Sequence, residues 1–167
     1  MLIDPNFKPR TNSLLGRQHF QNAYVTTDFN RALAMFKETH GIEEFFLVHD
    51  FALPMGGVID VAMAWSGNVN LEVICPRGNR NSLYERWLPE AGFALQFHHF
   101  GYVIPDQESW DSLVATIEEK GREIVFSGRS PDGLDWIYIH APELGHYLEY
   151  VYPSPAWIEL YDKIPHF

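Results

Sequence analysis

The sequence has little cysteine, little positive charge and no long apolar run. Its single cysteine, Cys75, cannot form a disulfide within the chain, so packing must hold the fold, and the lone thiol suits a reducing compartment. Twelve Lys and Arg stand against 22 Asp and Glu, a net charge of −10. A chain this acidic repels nucleic-acid phosphates and anionic lipid, so neither is expected as a partner. No apolar stretch approaches the ~20 residues that cross a bilayer. The amino-terminal MLIDPNFKPR lacks the apolar centre of a secretion signal. Together these absences point to a cytoplasmic globular protein. What is abundant is aromatic: 12 Phe, 8 Tyr and 5 Trp, enough to fill a core and line a pocket.

Residues 1–18, with Pro5 and Pro9, read as an irregular arm. HFQNAYVTT (19–27) follows as a strand, and Asp28 as a helix N-cap. Phe29, Ala32, Leu33 and Phe36 recur at helical spacing up to Gly41, a C-terminal cap. Three strands are expected at 43–50, 58–65 and 69–75, the last two joined by a Ser66-Gly67-Asn68 turn. After the loop 76–81, Ser82 and Glu85 have the spacing of a capping box, and Leu83, Trp87 and Leu88 give a short linking helix its apolar side.

The plan then repeats. QFHHFGYVI (96–104) is a strand, Asp106 a cap, and Trp110, Leu113, Val114 and Ile117 a helix face closed by Gly121. Strands follow at 122–128, 134–140 and 146–152. From Gln21 to Asp28 is 7 residues, as from His99 to Asp106; Gln21 to Gly41 is 20 and His99 to Gly121 is 22; Gln21 to Glu72 is 51 and His99 to Glu149 is 50. Agreement at three marks argues for a duplicated module. The expected organisation is an arm (1–18), a βαβββ module (19–76), a linking helix (77–95), a second βαβββ module (96–152) and a carboxy-terminal segment (153–167). The fold class is α+β: a curved mixed sheet with helices on its outer face and a concave face left for a site.

Strand alternation assigns side chains to faces. Leu71, Val73 and Cys75 should face the helix, and Glu72 the other way. Gln21 and His99 are equivalent on the first strands of the two modules, and Glu72 and Glu149 on the last. Two carboxylates on an apolar face need a counter-charge. A divalent cation supplies it, and His with Glu suits Zn, Ni, Co, Mn or Fe. His19, two residues from Gln21, is the substitute ligand if the register differs. His98 and His146 point away from this face by alternation. Trp65, Phe97, Tyr147 and Trp136 are candidates to stack on a substrate, with His140 lining the pocket and Arg77 holding an acidic tail.

The motifs QNAYVTTD (21–28), LEVICP (71–76), HHFGYVIPD (98–106) and IHAPELGHYLEYV (139–151) resemble the vicinal oxygen chelate superfamily. That superfamily includes glyoxalase I, methylmalonyl-CoA epimerase, extradiol dioxygenases and bleomycin-resistance proteins. The likeness covers about 19–152. Carried over by position, it implies Gln21, Glu72, His99 and Glu149 as metal ligands, a small-molecule substrate bound through adjacent oxygens, and a homodimer.

The chemistry that follows is proton transfer beside a carbonyl, in an isomerase, epimerase or lyase. The metal would stabilise enolate charge while Glu149 or Glu72 acts as base. A ferrous ring-cleaving dioxygenase is the first alternative, though it needs a second histidine that only His19 supplies. A metal-free protein that binds a small aromatic molecule is the second.

Overall fold

The computed structural model describes residues 2–80 and 82–167; Met1 of the expected arm and Asn81 of the expected loop lie outside the described residues. The element order is β1 (Gln18–Thr26), α1 (Phe29–His40), β2 (Phe46–Ala52), β3 (Val58–Ser66), β4 (Val69–Arg77), β5 (Leu95–Val103), α2 (Gln107–Glu119), β6 (Ile124–Arg129), β7 (Leu134–Ala141), β8 (His146–Pro153) and α3 (Pro155–Tyr161). This is the α+β plan that the repeat implied.

The chain divides into two compact units. One comprises Gln21–His98 with Ile164–Phe167; the other comprises the residues up to Phe20 with His99–Lys163. In the first, the strands run β2-β3-β4-β1. The β2/β3 and β3/β4 pairs are antiparallel, and β1 lies parallel to β4 with Gln21 opposite Asn70 and Ala23 opposite Glu72. The second unit repeats the scheme as β5-β8-β7-β6. Here β5 is parallel to β8, with His99 opposite Tyr147 and Gly101 opposite Glu149, and the other pairs are antiparallel.

Both module helices begin as the sequence dictates. The Asp28 carboxylate accepts from Arg31 N–H and the Asp106 carboxylate from Ser109 N–H, satisfying donors that the first helical turn leaves orphaned. Gly41 closes α1 at φ +73°, a backbone that glycine adopts without a Cβ clash. Each helix buries one stripe against its own unit's strands. Phe29, Ala32 and Phe36 meet Ala62, Ala64, Val73 and Cys75. Leu113 and Ile117 meet Tyr102, Ile137, Ile139, Leu148 and Tyr150. Burying side chains of this size contributes about 1.5–3 kcal/mol each before entropy is counted. Val73 and Cys75 thus face α1, as alternation predicted.

The expected linking helix over 77–95 does not form among the described residues; turns occupy 83–87. Half of the capping box is present, because Ser82 Oγ accepts from Glu85 N–H at 3.1 Å. The other half is diverted: the Glu85 carboxylate accepts from Asn79 N–H at 2.9 Å. Pro89 then removes the donor that another turn would need. The carboxy-terminal segment does form a short helix, α3, capped by Ser154 Oγ and opened by Pro155.

Candidate functional site

In each unit the candidate ligands, Gln21 with Glu72 and His99 with Glu149, lie on the face away from the module helix. On the unit of β5–β8, strand register places His99, Gly101 and Val103 beside Tyr147, Glu149 and Val151, and these beside Trp136, Tyr138 and His140. His99 Nε2 lies 3.1 Å from Glu149 Oε2, an ion-pair distance, with the imidazole fully buried and the carboxylate side chain 12% exposed. A buried carboxylate without a partner is costly, so adjacent parallel strands bring the two groups together where each needs the other. Tyr138 packs edge-on to the imidazole at 5.1 Å between centroids. His140 packs against Tyr147, also at 5.1 Å. Gly101, the residue opposite Glu149 on β5, places no side chain beside the carboxylate.

On the other unit, Gln21 is buried and its Nε2 donates to Asn70 Oδ1 at 3.1 Å. Glu72 follows two residues after Asn70 on the same face and is half-buried. Asn70 was not among the sequence candidates. Its Nδ2 is buried and has no hydrogen-bond partner, which makes it a ready donor for a ligand oxygen. The signal was present: in VNLEV, Asn70 and Glu72 share one side of a strand whose other side is apolar.

The remaining candidates divide. Tyr147 and His140 lie on the His99 face. Trp65 is buried on the face away from α1, and its ring stacks on His166 at 5.9 Å. Phe97 instead sets its ring 5.6 Å from Tyr24, which packs on Phe36 of α1. Arg77 is drawn to the α1 side, where it pairs with Asp60 and, at 2.6 Å, with Asp50. His98 is buried against Tyr84 and within 3.2 Å of the Leu83 carbonyl, away from His99 as alternation required. His146 packs on Phe100. His19, the substitute ligand, packs on Phe100 and Tyr102, rings of the α2 face rather than of the His99 face.

A divalent metal was expected here. The donors of each unit suit a borderline cation: imidazole nitrogen with carboxylate in one, amide oxygen with carboxylate in the other. Among the described residues, no three His, Cys, Asp or Glu side chains gather in a way that could hold a metal ion. His99 and Glu149 come together as one donor pair, and a cation there would need further donors.

No family model matches the chain, and no curated protein does either. Solved structures do. Methylmalonyl-CoA epimerase from Mycobacterium tuberculosis superposes with a TM-score of 0.62 over 88% of this chain and 94% of that one, at 16% identity. The Streptomyces coelicolor methylmalonyl-CoA epimerase in complex with 2-nitronate-propionyl-CoA gives 0.59 over 83% and 98%, at 17% identity. A hypothetical protein from Bacillus halodurans gives 0.62 over 83% and 95%, at 14% identity. Likeness at this identity establishes a glyoxalase-like fold.

Proposed function

We propose that the chain is an enzyme that moves a proton at a carbon next to a carbonyl, an isomerase or epimerase with Glu149 as its base. The observation that carries this reading is the buried His99–Glu149 pair at 3.1 Å, on the face away from α2. Glu149 lies 3.1 Å from His99 Nε2, has the side-chain-free Gly101 opposite it, and in this reading takes the proton from a substrate C–H. Tyr138, Tyr147 and Trp136 form an aromatic wall that excludes water and shields the developing charge from bulk solvent. In its own unit, Asn70 offers its unpartnered Nδ2 to a ligand oxygen. By the repeat, Gln21 and Glu72 hold in their unit the places that His99 and Glu149 hold in the other, and we propose each pair as donors toward a divalent cation, with Glu72 as the alternative base. Such a cation, when bound, supplies Lewis-acid polarisation of the substrate carbonyl.

The solved neighbours include proteins named for methylmalonyl-CoA, one bound to 2-nitronate-propionyl-CoA. This supports acyl thioesters with an acidic α-carbon as the first substrate class. The extradiol reading is weakened, since His19 lies on the α2 face and a two-histidine, one-carboxylate set lacks its second histidine. The aromatic wall favours, as second reading, a module that sequesters a planar aromatic molecule.

The test is deuterium exchange. In D2O, wild type should incorporate deuterium at the α-carbon of a branched acyl thioester from a panel read by NMR. Glu149→Gln should slow this by about 10²–10⁴-fold, while His99→Ala should also lose bound metal measured by elemental analysis. Equal exchange by wild type and Glu149→Gln overturns the assignment of the base. No exchange on any thioester or hemithioacetal, with tight binding of planar aromatics, transfers the site to the second reading.

A further inference from the structure

We propose that Arg17 is the centre of a second binding site, for a small oxyanion such as a phosphate or carboxylate group, formed between the amino-terminal arm and the start of α2. Arg17 is only 4% exposed, yet its Nε and Nη2 have no hydrogen-bond partner. No carboxylate of the described residues forms an ion pair with it, and its electrostatic neighbour is the Tyr150 phenol, a group neutral at physiological pH that burial pushes further above its ordinary value. A buried guanidinium with idle donors is among the costliest arrangements in a protein unless something fills them. Burial accordingly presses its pKa below the ordinary arginine value.

The surroundings are built rather than accidental. Arg17 lines a cavity, open to solvent, with Ile3, Asp4, Phe7, Gln18 and Ser109. The arm that forms one wall is clasped by Gln18, whose Nε2 donates to the Leu2 carbonyl at 2.8 Å and whose Oε1 accepts from Asp4 N–H at 2.9 Å. Ser109, in the first turn of α2, also lines the cavity, and its N–H is already taken by the Asp106 carboxylate that caps the helix. Two idle guanidinium donors on a residue that lines this cavity form a fork suited to a planar or tetrahedral oxyanion. Asp4, at the rim, sets the site's limit: it repels a multiply charged ligand and keeps affinity modest. The site lies on the α2 face of its unit, apart from His99 and Glu149 on the other.

The experiment is a thermal-midpoint titration of the full chain with phosphate, and separately with acetate, at ionic strength held constant with chloride. A midpoint that rises in wild type with phosphate identifies a phosphate-type ligand, and one that rises with acetate a carboxylate; affinities follow from the concentration dependence. Arg17→Met should weaken binding by about tenfold or more without lowering stability in chloride, since an apolar isostere relieves the buried charge. Asp4→Asn, an exposed change, should tighten binding about threefold. It also keeps the test decisive if Arg17→Met fails to fold. Overturning results are no rise above chloride with either anion, an equal rise in Arg17→Met, or an affinity unchanged in Asp4→Asn.

Discussion

Asp60 shows what a single side chain can be made to carry. It sits on β3 with its side chain 11% exposed, beside Arg77 Nη1. It also accepts from Asp50 N–H at 3.0 Å and lies 3.3 Å from His49 Nδ1. The hydrogen bond from Arg77 does most to bring its pKa down to about 2 from the ordinary 3.8, against the opposing effect of burial. A depressed carboxylate stabilises the fold above its unfolded-state pKa, and that stability is lost as pH falls from about 4 to about 2. Arg77 is 44% exposed, so solvent screening trims the contribution to about 1 kcal/mol. Asp60→Asn should therefore unfold in urea about 1 kcal/mol more readily at pH 7, with the gap closing near pH 2. A gap that persists at pH 2 would assign the loss to packing instead of charge. Residue-scale legibility followed the same logic. Strand alternation was enough to place His99 and Glu149 on one face, because a period of two leaves little choice. Phe97, offered only as an aromatic that could stack on a substrate, is 36% exposed and turns its ring onto Tyr24. Alternation could not anticipate Arg17, whose burial depends on the path of an arm that has no periodicity.

At the scale of elements, what the sequence announced was local and what it concealed was tertiary. The helices α1 and α2 were readable because their caps and apolar stripes lie within one stretch of chain. The linking segment carried a capping box and an apolar side, yet Glu85 turned to Asn79 and Pro89 cut the segment short. Strand β6 holds a constraint that no local pattern reveals. Gly128 pairs with Trp136 on β7, and a Cβ built on Gly128 would overlap the Trp136 indole. The glycine is needed here for space, not for backbone freedom. Gly128→Ala should push the indole off its rotamer and cost about 1–3 kcal/mol, seen as a lower urea midpoint together with altered tryptophan near-ultraviolet dichroism. A destabilised variant with unchanged dichroism would place the cost in the β6 backbone.

At the scale of the molecule, duplication explains why so much of the fold was legible: two stretches with matching marks had to build matching units, and both did. No described helix is long and apolar enough to cross a membrane. The duplication does not explain the ends of the chain. The arm before Gln21 belongs with the second module, and Ile164–Phe167 belongs with the first, although α3 does not. The last four residues act as an added edge for β3. Pro165 O accepts from Trp65 N–H at 2.7 Å, Phe167 N–H donates to Trp65 O at 3.1 Å, and His166 stacks on the indole. Ile164 is 2% exposed. Beyond the start of β2 at Phe46, β3 would otherwise show unpaired backbone and an uncovered tryptophan, the kind of edge that invites pairing with another chain. Deleting Ile164–Phe167 should cost about 2–4 kcal/mol, from one buried aliphatic side chain and two backbone hydrogen bonds. It should also release the Trp65 amide to hydrogen exchange while leaving the Tyr138 and Tyr150 amides of the other unit protected. A Trp65 amide that stays protected after the deletion would mean that β4 alone secures that end of β3, and the tail's role would reduce to covering the indole.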